Sequence, residues 1–338
     1  MNNLIQKVLV VGLGSAGRRH VRIIKKLFPE IKIIALRHKK CENKDIESLG
    51  LYKCVETIDE AIKISPQAAI IANPSSMHIG VAKELANHGI NLLIEKPISN
   101  SSEGIQKLIE ICQKNNIVLM TAYNLRFLPS LIEFKSLIQA NKIGSIYSVR
   151  SEVGQNLSSW RPKSDYKKTV SASKKLGGGV LLELSHEIDY LCWIFGSIAW
   201  VKSHISKQSG LDLDVEDSAN VILGFKGVIE SELVASLNMD FIRHDNTRKC
   251  FVIGEKGTLL WDGISGSVNY FEKGANDWIP LFLLKPHIDF TYEEEIKSFF
   301  SSIDSNELPY ISGNDGANVV SIIEAIKKSS NIGSSVYL

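Results

Sequence analysis

Hydrophobic positions in the first third of the chain come in short, nearly unbroken runs separated by stretches with a helical period. Lys7 to Val11, Ile31 to Leu36, Ala68 to Ala72, Asn91 to Ile94 and Ile117 to Thr121 are such runs, the pattern of strands buried on both faces. Between them, Ser15 to Phe28 places Val21, Ile24 and Phe28 on one side, and Met77 to His88 and Glu103 to Gln113 repeat the helical pattern. Strands alternating with helices predict a doubly wound parallel sheet over residues 1–123.

Beyond Arg126 the pattern changes. A helix is expected near Leu131 to Gln139, a strand over Ile146 to Val153, a polar loop with aromatic residues up to Leu176, and one helix from Val180 to Ile194. From Val201 to about Leu283, strand runs follow one another across Gly-containing turns. Asn220 to Phe225, Ile229 to Leu237, Cys250 to Ile253 and Thr258 to Trp261 are among them, and Gly254-Glu255-Lys256-Gly257 reads as a hairpin turn. Two helices, Thr291 to Ser302 and Asp315 to Ser329, close the chain. The expected fold class is α/β: a doubly wound N-terminal domain, then an α+β domain over residues 124–338 with a large, mostly antiparallel open sheet. The closing helices are expected to pack back on the first domain.

Composition narrows the partners. A chain of 338 residues suits two cores, and 44% hydrophobic with 22% charged residues is ordinary for a globular protein. A net charge of +2 provides no basic stripe, so a small molecule rather than nucleic acid is expected. Cys41, Cys54, Cys112, Cys192 and Cys250 show no C-x-x-C spacing, which predicts neither a disulfide framework nor a zinc site. No apolar run is long enough to span a membrane and no signal-peptide pattern opens the chain, so the expected location is cytoplasmic with no membrane partner.

The first candidate chemistry is Val11-Gly12-Leu13-Gly14-Ser15-Ala16-Gly17, a G-x-G-x-x-G between strand and helix. Gly12 permits the turn, Gly14 lets backbone approach a pyrophosphate, and Gly17 lets helix and strand pack closely. Ser15 and Ala16 open the helix whose first amides meet phosphate. This is the signature of the Rossmann dinucleotide-binding fold. An NAD site normally places an acid about 20 residues on, but Leu36-Arg37-His38-Lys39-Lys40 stands there. Arg37, with His38 beside it, suits a 2′-phosphate, which favours NADP over NAD.

Asn73 and Pro74 end the next strand of the sheet, with His78 in the first turn of the following helix, and all three are placed for cofactor contact. Leu93-Ile94-Glu95-Lys96-Pro97 ends a further strand on the same edge. Lys96 is a candidate donor to a substrate oxygen, and Glu95 would orient it or touch ribose. Within the helix from Val180, Leu184, Ile188, Leu191 and Phe195 form a buried stripe, while Glu183, His186, Glu187 and Tyr190 fall on a polar face. His186, with carboxylates three residues before and after it (Glu183 and Asp189), is a candidate general base. No H-E-x-x-H occurs, and no catalytic metal is expected.

Taken together, GLGSAGRRH, IANPSSMH, EKP, NLRF, WRP and GGGVLLELSHEIDY make essentially the whole chain resemble the Gfo/Idh/MocA family of glucose-fructose oxidoreductase, inositol dehydrogenase and rhizopine catabolism proteins. The resemblance implies a Rossmann domain followed by an α+β domain that forms homodimers or homotetramers through its sheet. It also implies hydride transfer between a nicotinamide and a hydroxyl carbon of a sugar, cyclitol or related compound, and the expected substrate is a sugar, sugar acid or nucleotide-sugar-like compound. Lys96 matches the family's catalytic lysine and His186 its catalytic histidine. Trp160 and Arg161 resemble a pair that reaches the nicotinamide region, and Arg126 a position bordering cofactor and substrate. In one departure, Leu182 stands where better-known members carry Asp four residues before the histidine, leaving Glu183 or Asp189 as the carboxylate. Two other readings remain open: a tightly held NAD used transiently for elimination or epimerisation, and a dinucleotide sensor without chemistry. Lysines in the loop Ser158 to Lys175 suggest an anionic substrate.

Overall fold

In the computed structural model, which describes residues 5–38, 43–160, 165–226 and 233–338, the apolar runs of the first third become parallel strands. They are Lys7–Val11 (β1), Lys32–Leu36 (β2), Lys53–Val55 (β3), Ala68–Ile71 (β4), Asn91–Glu95 (β5) and Leu119–Ala122 (β6). Their order, β3-β2-β1-β4-β5-β6, reverses between β1 and β4, and ligands of such sheets bind beyond the strand ends at that reversal. Ser15–Leu27 (α1), Asn43–Leu49 (α2), Ile58–Lys63 (α3), His78–Asn87 (α4) and Ile105–Lys114 (α5) connect them. Every residue of β4 and β6 is buried, which is why their sequences show no alternation.

Next come Pro129–Gln139 (α6), Ile146–Gly154 (β7), Leu157–Trp160 (α7), Val180–Glu183 (α8) and His186–Phe195 (α9). Seven strands follow: Ile198–Ser206 (β8), Ser218–Phe225 (β9), Val234–Asp240 (β10), Thr247–Gly254 (β11), Gly257–Asp262 (β12), Ser267–Glu272 (β13) and Ile279–Leu283 (β14). Phe290–Ser305 (α10), Gly313–Ile332 (α11) and Val336–Tyr337 (β15) end the chain. The second sheet runs β14-β13-β12-β11-β7-β10-β9-β8-β15. All its pairs are antiparallel except β7 with β10. Strand β9 alternates buried and exposed side chains along much of its length, as a sheet covered on one face does.

Two compact units result, one of Met1–Asn124 with Asp289–Val320, the other of Leu125–Ile288 with Ser321–Leu338. The hairpin expected at Glu255 and Lys256 joins β11 to β12. The strand expected over Ile229 to Leu237 begins in residues 227–232, outside the described set, and the observed strand starts at Val234. Cys54 is disulfide-bonded, against the expectation that the cysteines form no bridge, while Cys112, Cys192 and Cys250 are free. Among the described residues, no helix is long and apolar enough to cross a membrane, and no cluster of His, Cys, Asp and Glu is suited to a metal ion.

Candidate active site

In the first unit the glycine turn is fixed by contact. Gly12 takes φ +88°, and a Cβ there would meet the Ala72 carbonyl oxygen at 3.0 Å. A Cβ on Gly17 would stand 1.9 Å from the Gly12 oxygen, so helix α1 and the turn approach as closely as only glycine allows. Gly14 is different: no atom lies within 4 Å of its would-be Cβ, and no side chain caps the helix it opens. Ser15 and Ala16 begin α1 directly after it, presenting backbone amides at an open helix start. Arg37 follows β2 with its amide bonded to the Val55 carbonyl at 3.1 Å, and His38 is exposed.

At the end of β4, both side-chain polar atoms of Asn73 are enclosed without a hydrogen-bond partner. A buried amide unpaired on both sides is costly, so Asn73 fits a ligand offering a donor and an acceptor. Pro74 follows it into the turn before α4. His78 is 1% exposed and bridges two loops, with Nε2 2.8 Å from the Asn73 carbonyl and Nδ1 3.1 Å from the Pro97 carbonyl. Burial holds its pKa below the usual histidine value despite those carbonyls. The neutral ring then has one N–H to share between the two. His78 therefore ties the Asn73 turn to the Lys96 turn.

Lys96 directly follows β5, and its bond to Pro97 is cis. Glu95 beside it accepts from His20 Nε2 at 2.8 Å. Burial alone would raise the Glu95 carboxyl, but His20, by hydrogen bond and charge, and then the charge of Lys96 hold it below the ordinary carboxylate value. The sequence reading missed His20, which is fully buried on α1 and packs edge-on against Tyr292 at 5.8 Å. Its signal was a histidine on the same helix face as Ile24, where an apolar residue would be expected. Burial pushes the Tyr292 hydroxyl up to about 12.

In the second unit the helix expected from Val180 to Ile194 is two helices, broken at Leu184 and Ser185. Helix α8 is pinned at its start, where Val180 N–H donates to the Glu216 carbonyl at 3.2 Å and Leu181 N–H to Glu216 Oε1 at 3.4 Å. A Cβ on Gly179 would lie 2.5 Å from Glu216 and one on Gly178 2.2 Å from the Val170 carbonyl, which accounts for the glycine run. After the break, Glu187 N–H bonds back three residues to Leu184, and the helical phase resets. The continuous-helix reading that placed Glu187 and Tyr190 on a polar face with His186 is thereby corrected. Glu187 is fully buried against Arg248 Nε at 2.7 Å, and the Tyr190 hydroxyl is 2.6 Å from Ser151 Oγ. Glu183, last in α8, and His186, first in α9, stay half-buried. Leu182 is buried.

Arg126 and Asp189 are brought together as a two-pronged ion pair, Nε to Oδ2 at 3.0 Å and Nη2 to Oδ1 at 2.6 Å, both residues buried. Both Asp189 oxygens are therefore held by Arg126. Trp160 donates Nε1–H to the Gln155 carbonyl at 3.1 Å and meets Phe241 edge-on at 5.1 Å. Arg161 lies outside the described residues.

An open glycine turn at the reversal of a doubly wound sheet, with a paired lysine turn on the same strand edge, defines a dinucleotide-binding oxidoreductase domain. Comparison with known proteins agrees. The model described as "Oxidoreductase family, NAD-binding Rossmann fold" matches residues 6–123, and "Oxidoreductase family, C-terminal alpha/beta domain" matches residues 135–338. The chain belongs to the Gfo/Idh/MocA oxidoreductase family. It is 25% identical to myo-inositol 2-dehydrogenase of Thermotoga maritima over 343 residues, 96% of each chain. With trans-1,2-dihydrobenzene-1,2-diol dehydrogenase of Xenopus tropicalis it shares 28% over 207 residues, 58% of this chain and 57% of that one. In fold it is similar to levoglucosan dehydrogenase in complex with NADH, with TM-score 0.86, 20% identity and 98% of both chains covered.

Proposed function

We propose that the protein is a dehydrogenase or reductase acting on a CH–OH group of a carbohydrate-type substrate, a sugar, sugar acid or nucleotide-sugar-like compound, with NADP preferred to NAD. The carrying observation is the Lys96 turn, held by His20 through Glu95 and by His78 through Pro97. That turn and the enclosed, partnerless Asn73 amide end strands of the same sheet. The similarity to myo-inositol 2-dehydrogenase supports a polyhydroxylated substrate.

The dinucleotide, when bound, supplies hydride acceptance and return at its nicotinamide. Gly12, Gly14 and Gly17 shape the turn that receives its phosphates, the amides after Ser15 and Ala16 meet them, and Asn73 offers its free amide. Arg37 and His38 hold the 2′-phosphate. Lys96 donates a hydrogen bond to the reacting oxygen, and an imidazole nitrogen of His186 takes the hydroxyl proton, with Glu183 orienting the ring. We assign Arg126, Trp160 and Arg161 to the border of cofactor and substrate. Homodimers or homotetramers form through the second sheet, where Tyr147 on β7 and Ile222 on β9 are exposed.

The test is a titration with NADPH and NADH, followed by energy transfer from tryptophan to the reduced nicotinamide. NADPH is expected to bind tighter. Arg37→Asp should reverse the ratio of affinities by about tenfold or more, since a charged hydrogen bond is worth about 1.5–3 kcal/mol. An unchanged ratio removes Arg37 from cofactor choice. Absence of turnover with polyols, sugar acids and keto sugars would count against the reaction itself.

A further inference from the structure

Helix α9 carries His186 at its first position, and no side chain caps the helix there. The break at Leu184 and Ser185 separates it from α8, so the direction of the imidazole is not inherited from the helix before it. Three buried anchors follow within one turn: Glu187, Asp189 and Tyr190. Glu187 Oε1 accepts from Arg248 Nε at 2.7 Å, Asp189 accepts both prongs of Arg126, and the Tyr190 hydroxyl lies 2.6 Å from Ser151 Oγ.

Along a helix each residue turns the side-chain direction by about 100°. Glu187 therefore stands about 100° to one side of His186, and Asp189 about 60° to the other. The two carboxylates are held from different elements, Glu187 from β11 and Asp189 from Arg126 just before α6. Rotating α9 in either sense pulls one of them off its guanidinium. Tyr190, held by Ser151 on β7 next to β11, stops the helix from sliding along the sheet. Arg248 is itself given room. A Cβ on Gly263 would stand 3.0 Å from Arg248 Cδ and 2.8 Å from the Trp261 ring, and the Gly263 amide donates to the Arg248 carbonyl at 2.8 Å. An apolar pair of the same size would hold α9 on the sheet as firmly, because burying two charges costs about what their attraction returns. What the ion pair adds is direction: a guanidinium N–H meets a carboxylate oxygen along a narrow line, whereas apolar side chains tolerate sliding.

We propose that Arg248 is a positioning residue for His186: through Glu187, the residue next to the histidine, it fixes the rotation of α9 and with it the direction of the imidazole. Its effect on turnover rests on the reading of His186 as the group that takes the hydroxyl proton. Arg248 touches neither cofactor nor substrate in this role.

The test compares the full-length wild type with the Glu187→Met/Arg248→Met double variant and with Arg248→Lys. Apolar replacement of both partners should leave the urea midpoint at or above the wild-type value, which keeps a fold defect out of the comparison. Crystal structures should place the His186 ring of the double variant about 1 Å or more from its wild-type position, a displacement worth up to about a hundredfold in rate. With whichever polyol, sugar acid or keto sugar the wild type turns over, kcat should fall about tenfold to a hundredfold while KM stays within about twofold. Arg248→Lys still offers Glu187 a charge but not the planar fork, and its kcat should lie between the other two.

Superimposable His186 rings in the wild type and the double variant overturn the proposal and leave the pair a packing contact. A KM that rises while kcat holds overturns it as well, because the pair then serves binding rather than the base. Failure of the catalytic reading is distinct: turnover would survive His186→Ala while the displaced ring of the double variant stands.

Discussion

Two corners of the molecule bury carboxylates in opposite ways. In the second unit, Asp189 and Glu187 each face an arginine, Arg126 and Arg248. Guanidinium stays charged at any pH the protein meets, so that corner is a fixed scaffold. In the first unit, Glu95 faces the imidazole of His20, both ring nitrogens of His78 lie against carbonyls, and neither oxygen of Glu295 has a hydrogen-bond partner. The second-unit carboxylates rest on guanidinium groups, whereas Glu95 in the first unit rests on an imidazole although Arg19 stands close by, paired with Asp289.

The largest expected break in that comparison is Lys96→Ala. It should lower kcat by about a hundredfold to ten-thousandfold, as loss of a proton-handling group does, with dinucleotide affinity nearly unchanged by tryptophan energy transfer. Retained turnover would make the responsive corner a structural one. Next comes Asp189→Asn, which strands the Arg126 charge and should cost about 3–5 kcal/mol in urea unfolding. A cost under about 1 kcal/mol would mean that water reaches the pair, and the contrast between corners would fail. The smallest effect sharpens the glycine turn. Gly17→Ala should destabilise by about 1–3 kcal/mol through overpacking, whereas Gly14→Ala should leave the unfolding midpoint alone and weaken NADPH binding in the same titration. Equal unfolding midpoints for the two variants would contradict the packing at Gly17.

Local chemistry made much of this legible. The glycine turn, the strand ending at Lys96 and the parallel sheet are written in adjacent residues, so periodicity reached them. Strand β3 and helices α2 and α3 escaped because such short segments show too little of any period. The break at Leu184 and Ser185 was invisible because its anchors, Glu216 and Arg248, are far along the chain. His20 and Glu95 are 75 residues apart, and neither spacing nor composition announces their contact. Likewise, the parallel pairing of β7 with β10 is a choice of topology that two apolar strands leave open.

The first unit is discontinuous in the chain: Glu95 and Lys96 belong to Met1–Asn124, but Tyr292 and Glu295 belong to Asp289–Val320. A ribosome finishes the lysine turn at Pro97 and then makes about 190 further residues before α10, which starts at Phe290, a delay of about ten to forty seconds at ordinary elongation rates. Through that interval Glu95 has His20 but not its neighbouring acid. A nascent chain stopped before α10 thus carries the dinucleotide turn without the helix that packs on α1.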